Sequence, residues 1–204
     1  CLRLYLVTDR DLARGRPLAE VVRSALRGGV TAVQLREKAL GARRFLEEVR
    51  QLQAVLAGTG VPLFVNDRVD VALAAGADGV HVGQDDLPAA EVRRLIGPAM
   101  LLGVSVATPD EARRALSDGA DYVSVSPVFL TPTKPDAELA VGLEGVARIR
   151  EATGDAPVLA IGGVSAGNAG AVVAAGSDGV AVVSAVMSAP DPAAAAADLR
   201  RAVD

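Results

Sequence analysis

The stretch AGADGV at residues 75–80 is the best guide to the fold of this chain, because close copies of it recur. DGADYV occupies residues 118–123, AGSDGV occupies residues 175–180, and GGVT at residues 28–31 is a looser copy. In each copy a glycine ends a helical pattern and an apolar run begins at once, which is typical of a left-handed helix cap leading directly into a strand. The copies therefore predict one kind of helix-to-strand connection at four places.

Outside these copies, short apolar runs alternate with amphipathic segments along the chain. Strands are predicted at residues 2–8, 32–36, 63–66, 79–83, 101–106, 122–128, 158–162 and 180–185, and helices at residues 17–27, 42–57, 69–75, 88–96, 109–117, 143–151, 168–175 and 192–203. Several apolar runs are continuous, as in parallel strands that are buried on both faces. This pattern predicts the α/β class and a single (β/α)₈ TIM barrel, one catalytic domain over residues 1–204. An open doubly wound sheet is the alternative, although no G-x-G-x-x-G motif follows the first strand.

Composition narrows the choice of function. The 204 residues are 50% hydrophobic and 23% charged, which is enough to bury a full core, and the formal net charge is -4. The lack of a basic block argues against nucleic acid as a partner. No apolar run is long enough to span a membrane and no signal-peptide pattern opens the chain, so we expect a cytoplasmic protein that acts on small molecules, with a homodimer left open. The one cysteine, Cys1, excludes a disulfide framework and a cysteine metal site.

Uncommon polar residues of this chain follow the predicted strands. In a TIM barrel the active site lies at the C-terminal ends of the strands. Only two of the 21 basic residues are lysines, and both fall there: Lys38 after strand two and Lys134 after strand six. Asn66, one of two asparagines, ends strand three. A purely structural rim would use the common arginine, aspartate and glutamate, so this concentration indicates a functional rim.

The loop after strand six carries groups that bind phosphate. Thr131 and Thr133 supply hydroxyls, Lys134 supplies a compact ammonium, and Pro132 and Pro135 prevent regular structure. An ordinary surface loop with turn residues is the alternative. Residues 129–141 form the longest irregular connection in the chain, so we expect it to close over bound substrates.

Two carboxylates end neighbouring strands. Asp67 and Asp86 are predicted to approach each other, and such a pair needs a proton or a cation between its members. Carboxylate oxygens suit Mg²⁺ that is held jointly with substrate phosphates. Helix caps and salt bridges are the alternative, with Asp86 as the cap of the helix that begins near Pro88. Arg36 and Lys38 would face a polyanion, unless they pair with Glu37 or Glu47.

The remaining strand ends complete the predicted rim. Gly163 and Ser184 follow strands seven and eight, whose loops commonly cradle phosphate in such barrels, although a plain glycine turn is the alternative. His81 lies inside strand four and is predicted to be packed and hydrogen-bonded, not catalytic. Ser105 has no triad partner nearby in sequence. Without an evident nucleophile or strong base, this rim suits a reaction driven by departure of a metal-bound diphosphate.

Six segments together resemble the thiamine-phosphate synthase (thiamine-phosphate pyrophosphorylase) family, in the order in which that family has them. They are QLREK at 34–38, VND at 65–67, GVHVGQDD at 79–86, TPTKP at 131–135, IGG at 161–163 and VVS at 182–184. The resemblance implies a transferase that joins hydroxymethylpyrimidine diphosphate to thiazole phosphate, giving thiamine phosphate and diphosphate. In the mechanism that it implies, diphosphate leaves, a pyrimidine methyl cation forms, and the thiazole nitrogen attacks this cation.

The resemblance also implies roles for individual residues. Mg²⁺ is assigned to Asp67 and Asp86, and catalysis to Arg36, Lys38 and Lys134. The pyrimidine diphosphate is assigned to Gln34, Leu35, Arg36, Glu37, Lys38, Asn66, Ser105 and Lys134. The thiazole phosphate is assigned to Thr131, Pro132, Thr133, Gly163, Val183 and Ser184.

Two positions depart from the family pattern, and two other functions stay open. Ala107 stands where the family often has histidine, and Ser126 where it often has glycine. The alternatives are the related thiazole tautomerase, which shares the barrel, and a non-catalytic protein that binds a phosphate ligand. Neither needs the carboxylate pair, so the presence of both aspartates beside Arg36 and Lys38 favours the synthase.

Overall fold

Eight parallel strands form a closed barrel in which each strand pairs with the next one along the chain and β8 pairs with β1. The computed structural model describes residues 2–131 and 140–204. The strands are β1 (Leu4–Val7), β2 (Ala32–Leu35), β3 (Leu63–Asn66), β4 (Gly79–Val82), β5 (Leu101–Val106), β6 (Tyr122–Val125), β7 (Val158–Ile161) and β8 (Gly179–Val182). The predicted TIM barrel is therefore confirmed, and the open-sheet alternative is wrong.

The helices surround this barrel and follow the predicted positions closely, with one addition. In the described part of the chain they are α1 (Leu18–Arg27), α2 (Ala42–Leu56), α3 (Val69–Ala75), α4 (Ala89–Ile96), α5 (Pro109–Ser117), α6 (Gly142–Thr153), α7 (Ala169–Ala174), α8 (Ser184–Met187) and α9 (Pro192–Val203). None of these helices combines the length and the hydrophobicity that a membrane crossing requires.

Two predicted strands run three residues past the end of the observed strand. The prediction of a strand over 180–185 is wrong at its end, because β8 stops at Val182 and Ser184 begins the short helix α8. A short apolar run is compatible with either element, so its periodicity could not separate them. The strand predicted over 122–128 stops at Val125, before a cis peptide bond between Ser126 and Pro127. Proline has no N–H with which to continue the ladder.

Aromatic rings fill the inside of the barrel. Tyr5, Phe64 and Tyr122 pack edge to face, with ring centroids 5.4, 5.6 and 6.3 Å apart. Two strand glycines make room for them. A Cβ at Gly79 would lie 2.4 Å from the Phe64 ring, and a Cβ at Gly103 would lie 2.1 Å from Tyr122 Cζ. This plug closes the interior, so the space for a ligand lies above it, at the C-terminal ends of the strands.

The repeated sequence forms a repeated clamp at the opposite end of the barrel. Its glycines at positions 29, 76, 119 and 176 all have a positive φ, as the predicted connection requires. Asp78, Asp121 and Asp178 each accept a hydrogen bond from a backbone N–H of the preceding strand, at 2.7–2.8 Å. In the second and third copies an arginine from the helix before the preceding one, Arg93 of α4 or Arg150 of α6, binds both the glycine carbonyl and the aspartate. The repeat therefore ties helices to strands away from the ligand site.

Replacing Arg93 with alanine tests this clamp. The guanidinium donates hydrogen bonds to the carbonyls of Gly97, Met100 and Gly119, and also to the Asp121 carboxylate. The variant loses the hydrogen bonds to all four of these acceptors. We expect the free energy of unfolding, measured in urea, to fall by about 2–3 kcal/mol. Arg94→Ala is the matched control, because this neighbouring side chain is 73% exposed and pairs with Glu91 along its own helix, so its loss should cost less than about 0.5 kcal/mol. Equal losses in the two variants would contradict the clamp.

Candidate active site

A cleft of about 650 Å³ opens at the C-terminal ends of the strands. It collects most of the predicted site residues: Gln34, Arg36, Lys38, Asn66, Asp67, Asp86, Ser105, Thr131, Gly163, Val183 and Ser184. Pro132, Thr133 and Lys134 lie outside the described residues, as does most of the connection predicted to close over the substrates. The structure thus brings residues from strands that are far apart in sequence to one place.

Leu35 and Glu37 are the two described residues of the predicted set whose side chains do not line this cleft. Leu35 is fully buried and packs in the apolar layer between the barrel and the helices. Glu37 accepts a hydrogen bond from Arg10 Nη2 at 2.6 Å, and its side chain is only 5% exposed. Both side chains therefore anchor the segment that carries Arg36 and Lys38, and neither presents itself to a ligand.

Arg36 and Lys38 place positive charge on one side of the cleft. Arg36 Nη1 lies 3.8 Å from Asp9 Oδ2, so the pairs with Glu37 or Glu47 considered as alternatives are not what the structure contains. Lys38 is exposed and forms no ion pair within residues 2–131 and 140–204. Asp9 lies two residues after the end of β1, and this position near a strand end was the one sequence signal for its role. Arg36 and Lys38 therefore suit the binding of an anionic ligand on this side of the cleft.

Asp67 stands in an unusual backbone conformation. Its φ is 61°, in the left-handed region that few residues other than glycine adopt. The conformation is held by hydrogen bonds from Asp67 N to His81 O at 2.9 Å and from Arg68 N to Asn66 O at 2.7 Å. Such strain costs about 1–3 kcal/mol and is concentrated at functional sites. Here the turn immediately after β3 brings the Asp67 carboxyl into the cleft.

Asp86 reaches the same place from a turn after β4. Its Oδ2 accepts a hydrogen bond from Gly83 N at 2.7 Å, which closes the turn. The alternative role as a helix cap is wrong, because α4 begins at Ala89, after Pro88, and no side chain caps it. The carboxylate of Asp86 is therefore directed by its own turn and not by the helix.

The two carboxyls interact strongly. Burial is the main reason why the pKa of Asp67 rises from 3.8 to about 6. The hydrogen bond to Asp86 and the negative charge of Asp86 raise this pKa further, whereas the charge of Arg36 and a hydrogen bond to Asn66 lower it. A pair of this kind is relieved by a shared proton or a small hard cation, and it fits Mg²⁺. Residues 2–131 and 140–204 contain no cluster of three or more acidic, histidine or cysteine side chains for a metal. Any ion here would therefore take its other ligands from substrate and water.

Replacing Asp67 with asparagine is expected to stabilise the metal-free protein at neutral pH. The folded protein keeps the proton of this carboxyl up to about pH 6, whereas the unfolded protein releases it near pH 3.8. The free energy of unfolding therefore falls as the pH rises from about 4 to about 6, and the loss stays constant at higher pH. Asparagine resembles the protonated carboxyl and has no such cost. In EDTA the Tm of the variant should exceed that of the wild type by about 1–4 °C at pH 8 and match it near pH 4. An advantage that does not grow with pH would contradict the shifted pKa.

Gly162 and Gly163 shape the opposite side of the cleft. Their φ values are 106° and 65°, and a Cβ on either would come within 2.7–2.8 Å of the β6 loop, at Pro127 or Phe129. Phe129 N donates to Gly162 O at 3.0 Å, which fixes the two loops together. Both positions therefore require glycine for structural reasons, and the part of Gly163 in phosphate binding stays a prediction. Its neighbours in the cleft are Val183 and Ser184.

A buried chain of hydrogen bonds forms the floor of the cleft. It runs from Gln34 Nε2 to Tyr5 OH at 3.1 Å, on to Tyr122 OH at 3.0 Å, to His81 Nδ1 at 3.0 Å, and from His81 Nε2 to Ser105 Oγ at 2.9 Å. His81 is packed and hydrogen-bonded, as predicted. The two tyrosines were not among the predicted site residues, although alternation along β1 and β6 indicates that both point inward.

Comparison with known proteins identifies the group to which this barrel belongs. A family model for thiamine monophosphate synthase matches residues 4–186, which include all eight strands. This chain belongs to the thiamine monophosphate synthase family. It is 52% identical over 203 residues to the thiamine-phosphate synthase of Albidiferax ferrireducens, covering 100% of this chain and 92% of that protein. It is 56% identical over 192 residues to the thiamine-phosphate synthase of Roseiflexus castenholzii, covering 94% and 84%.

Solved structures agree with membership of the thiamine monophosphate synthase family. The thiamine phosphate pyrophosphorylase of Pyrococcus furiosus superposes with a TM-score of 0.91 at 43% identity, covering 99% of this chain and 95% of that one. A 3-hexulose-6-phosphate synthase superposes with a TM-score of 0.73 at 21% identity, which shows only a shared barrel fold.

The two departures from the pattern of the thiamine monophosphate synthase family both lie in the cleft. Ala107 and Ser126 line it, after β5 and β6 respectively. Ala107 N donates to Glu111 Oε2 at 2.7 Å, which brings an additional carboxylate to the rim. Glu111 was absent from the predicted set because it belongs to a helix and not to a strand end.

Proposed function

We propose that this chain transfers the hydroxymethylpyrimidine group from its diphosphate to thiazole phosphate, with thiamine phosphate and diphosphate as products. The observation that carries this proposal is the meeting of the Asp67 and Asp86 carboxyls beside Arg36 and Lys38, in one cleft of a thiamine monophosphate synthase family member. Neither a thiazole tautomerase nor a non-catalytic phosphate-binding barrel needs the carboxylate pair. The protein is accordingly a transferase.

The diphosphate end of the pyrimidine substrate is placed on the cationic side. Asp67 and Asp86 would hold Mg²⁺, which would neutralise the diphosphate as it leaves. Arg36 and Lys38 would bind the outer diphosphate oxygens, and Lys134 would add a further ammonium from the loop after β6. The charge on the leaving diphosphate is largest once the bond has broken, so these contacts favour the transition state over the bound substrate.

We place the acceptor, thiazole phosphate, on the side of the cleft that faces Arg36 and Lys38. Thr131, Gly163, Val183 and Ser184 line that side of the cleft, and Pro132 and Thr133 follow Thr131 in the sequence. The bond between the methylene carbon and the diphosphate oxygen breaks with both electrons going to diphosphate, and the lone pair of the thiazole nitrogen forms the new carbon–nitrogen bond. No proton moves, so the side chains need only align the partners and exclude water.

We also infer that residues 1–204 work as one catalytic domain in the cytoplasm on small molecules alone, without nucleic acid or membrane. A homodimer is compatible with this proposal. Size-exclusion chromatography with light scattering would determine the assembly, and titration with nucleic acid or vesicles should show no binding.

The direct test is a coupled assay of both products. Purified chain, both substrates and Mg²⁺ should give thiamine phosphate and diphosphate in equal amounts, and omission of either substrate should give neither. If thiazole phosphate binds but no thiamine phosphate forms, the proposal is rejected in favour of a phosphate-binding protein. An isomerised thiazole in the absence of the pyrimidine would reject it in favour of the tautomerase.

A further inference from the structure

The hydrogen-bond chain beneath the cleft is long, buried and continuous. Tyr5, Tyr122, Gln34 and His81 are 1–6% exposed, and the chain ends at Ser105, which lines the cleft. It links side chains of β2, β1, β6, β4 and β5, so its geometry is set by the closed barrel. Burial raises the pKa of both tyrosines above the usual value, which keeps the phenols protonated. Each phenol therefore has one proton to donate and must accept from elsewhere.

The direction of this chain follows from its first member. With its amide nitrogen facing Tyr5, Gln34 can only donate there, so Tyr5 accepts from it and the proton of Tyr5 is left for Tyr122. In this direction Tyr122 donates to His81 Nδ1, which is then the unprotonated nitrogen of a neutral ring. The imidazole proton is then on Nε2 and is donated to Ser105 Oγ.

We propose that Tyr5, Tyr122 and His81 are positioning residues that fix the polarity of the cleft floor, meaning the direction in which its hydrogen bonds are donated. With this polarity Ser105 presents a hydroxyl donor to the pyrimidine ring, and Gln34 presents an amide oxygen acceptor. This inference rests on the proposed function for the identity of the ligand. The polarity itself does not rest on the proposed function, since every residue in the row of hydrogen bonds belongs to the protein without its ligand. Reversing the Gln34 amide would reverse every bond, so one residue sets the character of both ends.

The polarity selects the kind of heterocycle that the floor accepts. A 4-aminopyrimidine carries an amino donor beside an unprotonated ring nitrogen, which matches one acceptor and one donor. Its 4-oxo analogue has a carbonyl acceptor beside a protonated ring nitrogen, which presents the opposite pattern. Binding of such an analogue would leave polar groups of the site without hydrogen-bond partners. We therefore expect its Kd to be higher than that of the 4-amino compound by about 100-fold or more.

The imidazole tautomer is the first test, and it needs no activity. His81 is the single histidine of the chain, so ¹⁵N-histidine labelling gives an NMR spectrum with one assignable ring. We expect the neutral Nε2–H tautomer in the wild type. Gln34→Glu offers only oxygen acceptors to Tyr5 and should convert His81 to the Nδ1–H tautomer, while Gln51→Glu, an exposed control on α2, should change nothing. A wild-type spectrum with a proton on Nδ1 would overturn the proposal.

Discrimination between the two heterocycles is the second test. Tyr5→Phe removes one hydroxyl from the chain without removing the ring, so it should reduce the preference for the amino over the oxo diphosphate, measured as a ratio of Kd values, by about 10-fold or more. The Kd for thiazole phosphate should stay within about twofold. Unchanged discrimination in Tyr5→Phe would overturn the positioning role, whereas a wild type that forms no thiamine phosphate yet shows the expected tautomer would count against the proposed function alone.

Discussion

Replacing Asp86 with asparagine is expected to lower the rate of thiamine phosphate formation by about 100-fold or more, equivalent to about 3 kcal/mol of lost transition-state stabilisation. The amide keeps an oxygen for the hydrogen bond from Gly83 N, so the turn is retained. It loses the negative charge that, together with Asp67, would hold the cation on the leaving diphosphate. The measurement is the initial rate as a function of Mg²⁺ concentration, and the variant should need much more Mg²⁺ to reach its lower maximum.

Asp85 provides the matched control for this variant. It lies in the same turn and is exposed, and it is not among the groups that act on the Asp67 carboxyl. Asp85→Asn should therefore retain at least about half of the wild-type rate. Two results would reject the metal assignment: full wild-type activity in excess EDTA, or an Asp85→Asn variant as impaired as Asp86→Asn.

Replacing Gly103 with alanine is expected to lower the free energy of unfolding by about 3 kcal/mol or more. The new Cβ would lie 2.1 Å from Tyr122 Cζ and 2.3 Å from its hydroxyl oxygen, so the ring or the strand has to move. The ring is held by Phe64 on one side and by hydrogen bonds to Tyr5 and His81 on the other. Urea unfolding followed by tyrosine fluorescence would measure the loss, because the chain contains no tryptophan.

Gly41→Ala is the control for this overpacking. Gly41 has an extended conformation with φ of -65°, and a Cβ there would meet nothing within 4 Å. Its replacement should change the free energy of unfolding by less than about 0.5 kcal/mol. If Gly103→Ala proves as mild as Gly41→Ala, the aromatic plug is far looser than its geometry indicates.

The barrel could be predicted because its information is local and repeated. The glycine and aspartate of the AGADGV copies specify a helix end and a strand start within six residues, and the clamps of Arg93 and Arg150 explain why these residues recur. The strand ends were less predictable at β6 and β8. In both cases an apolar run continues past the last residue that is paired in the sheet, and hydrophobicity alone does not report where pairing stops.

The sequence by itself also determined which residues would meet at the rim, since parallel strands in one barrel must end on the same side. Only the tertiary structure decided how they meet. The ion pair of Arg36 with Asp9 and the left-handed turn at Asp67 depend on neighbouring strands and not on local preference. The bond between Tyr5 and Tyr122 joins residues 117 positions apart, and no local pattern specifies such a contact. It exists because closure of the barrel fixes the register of β1 against β6 across the interior, where a buried hydroxyl must find a partner.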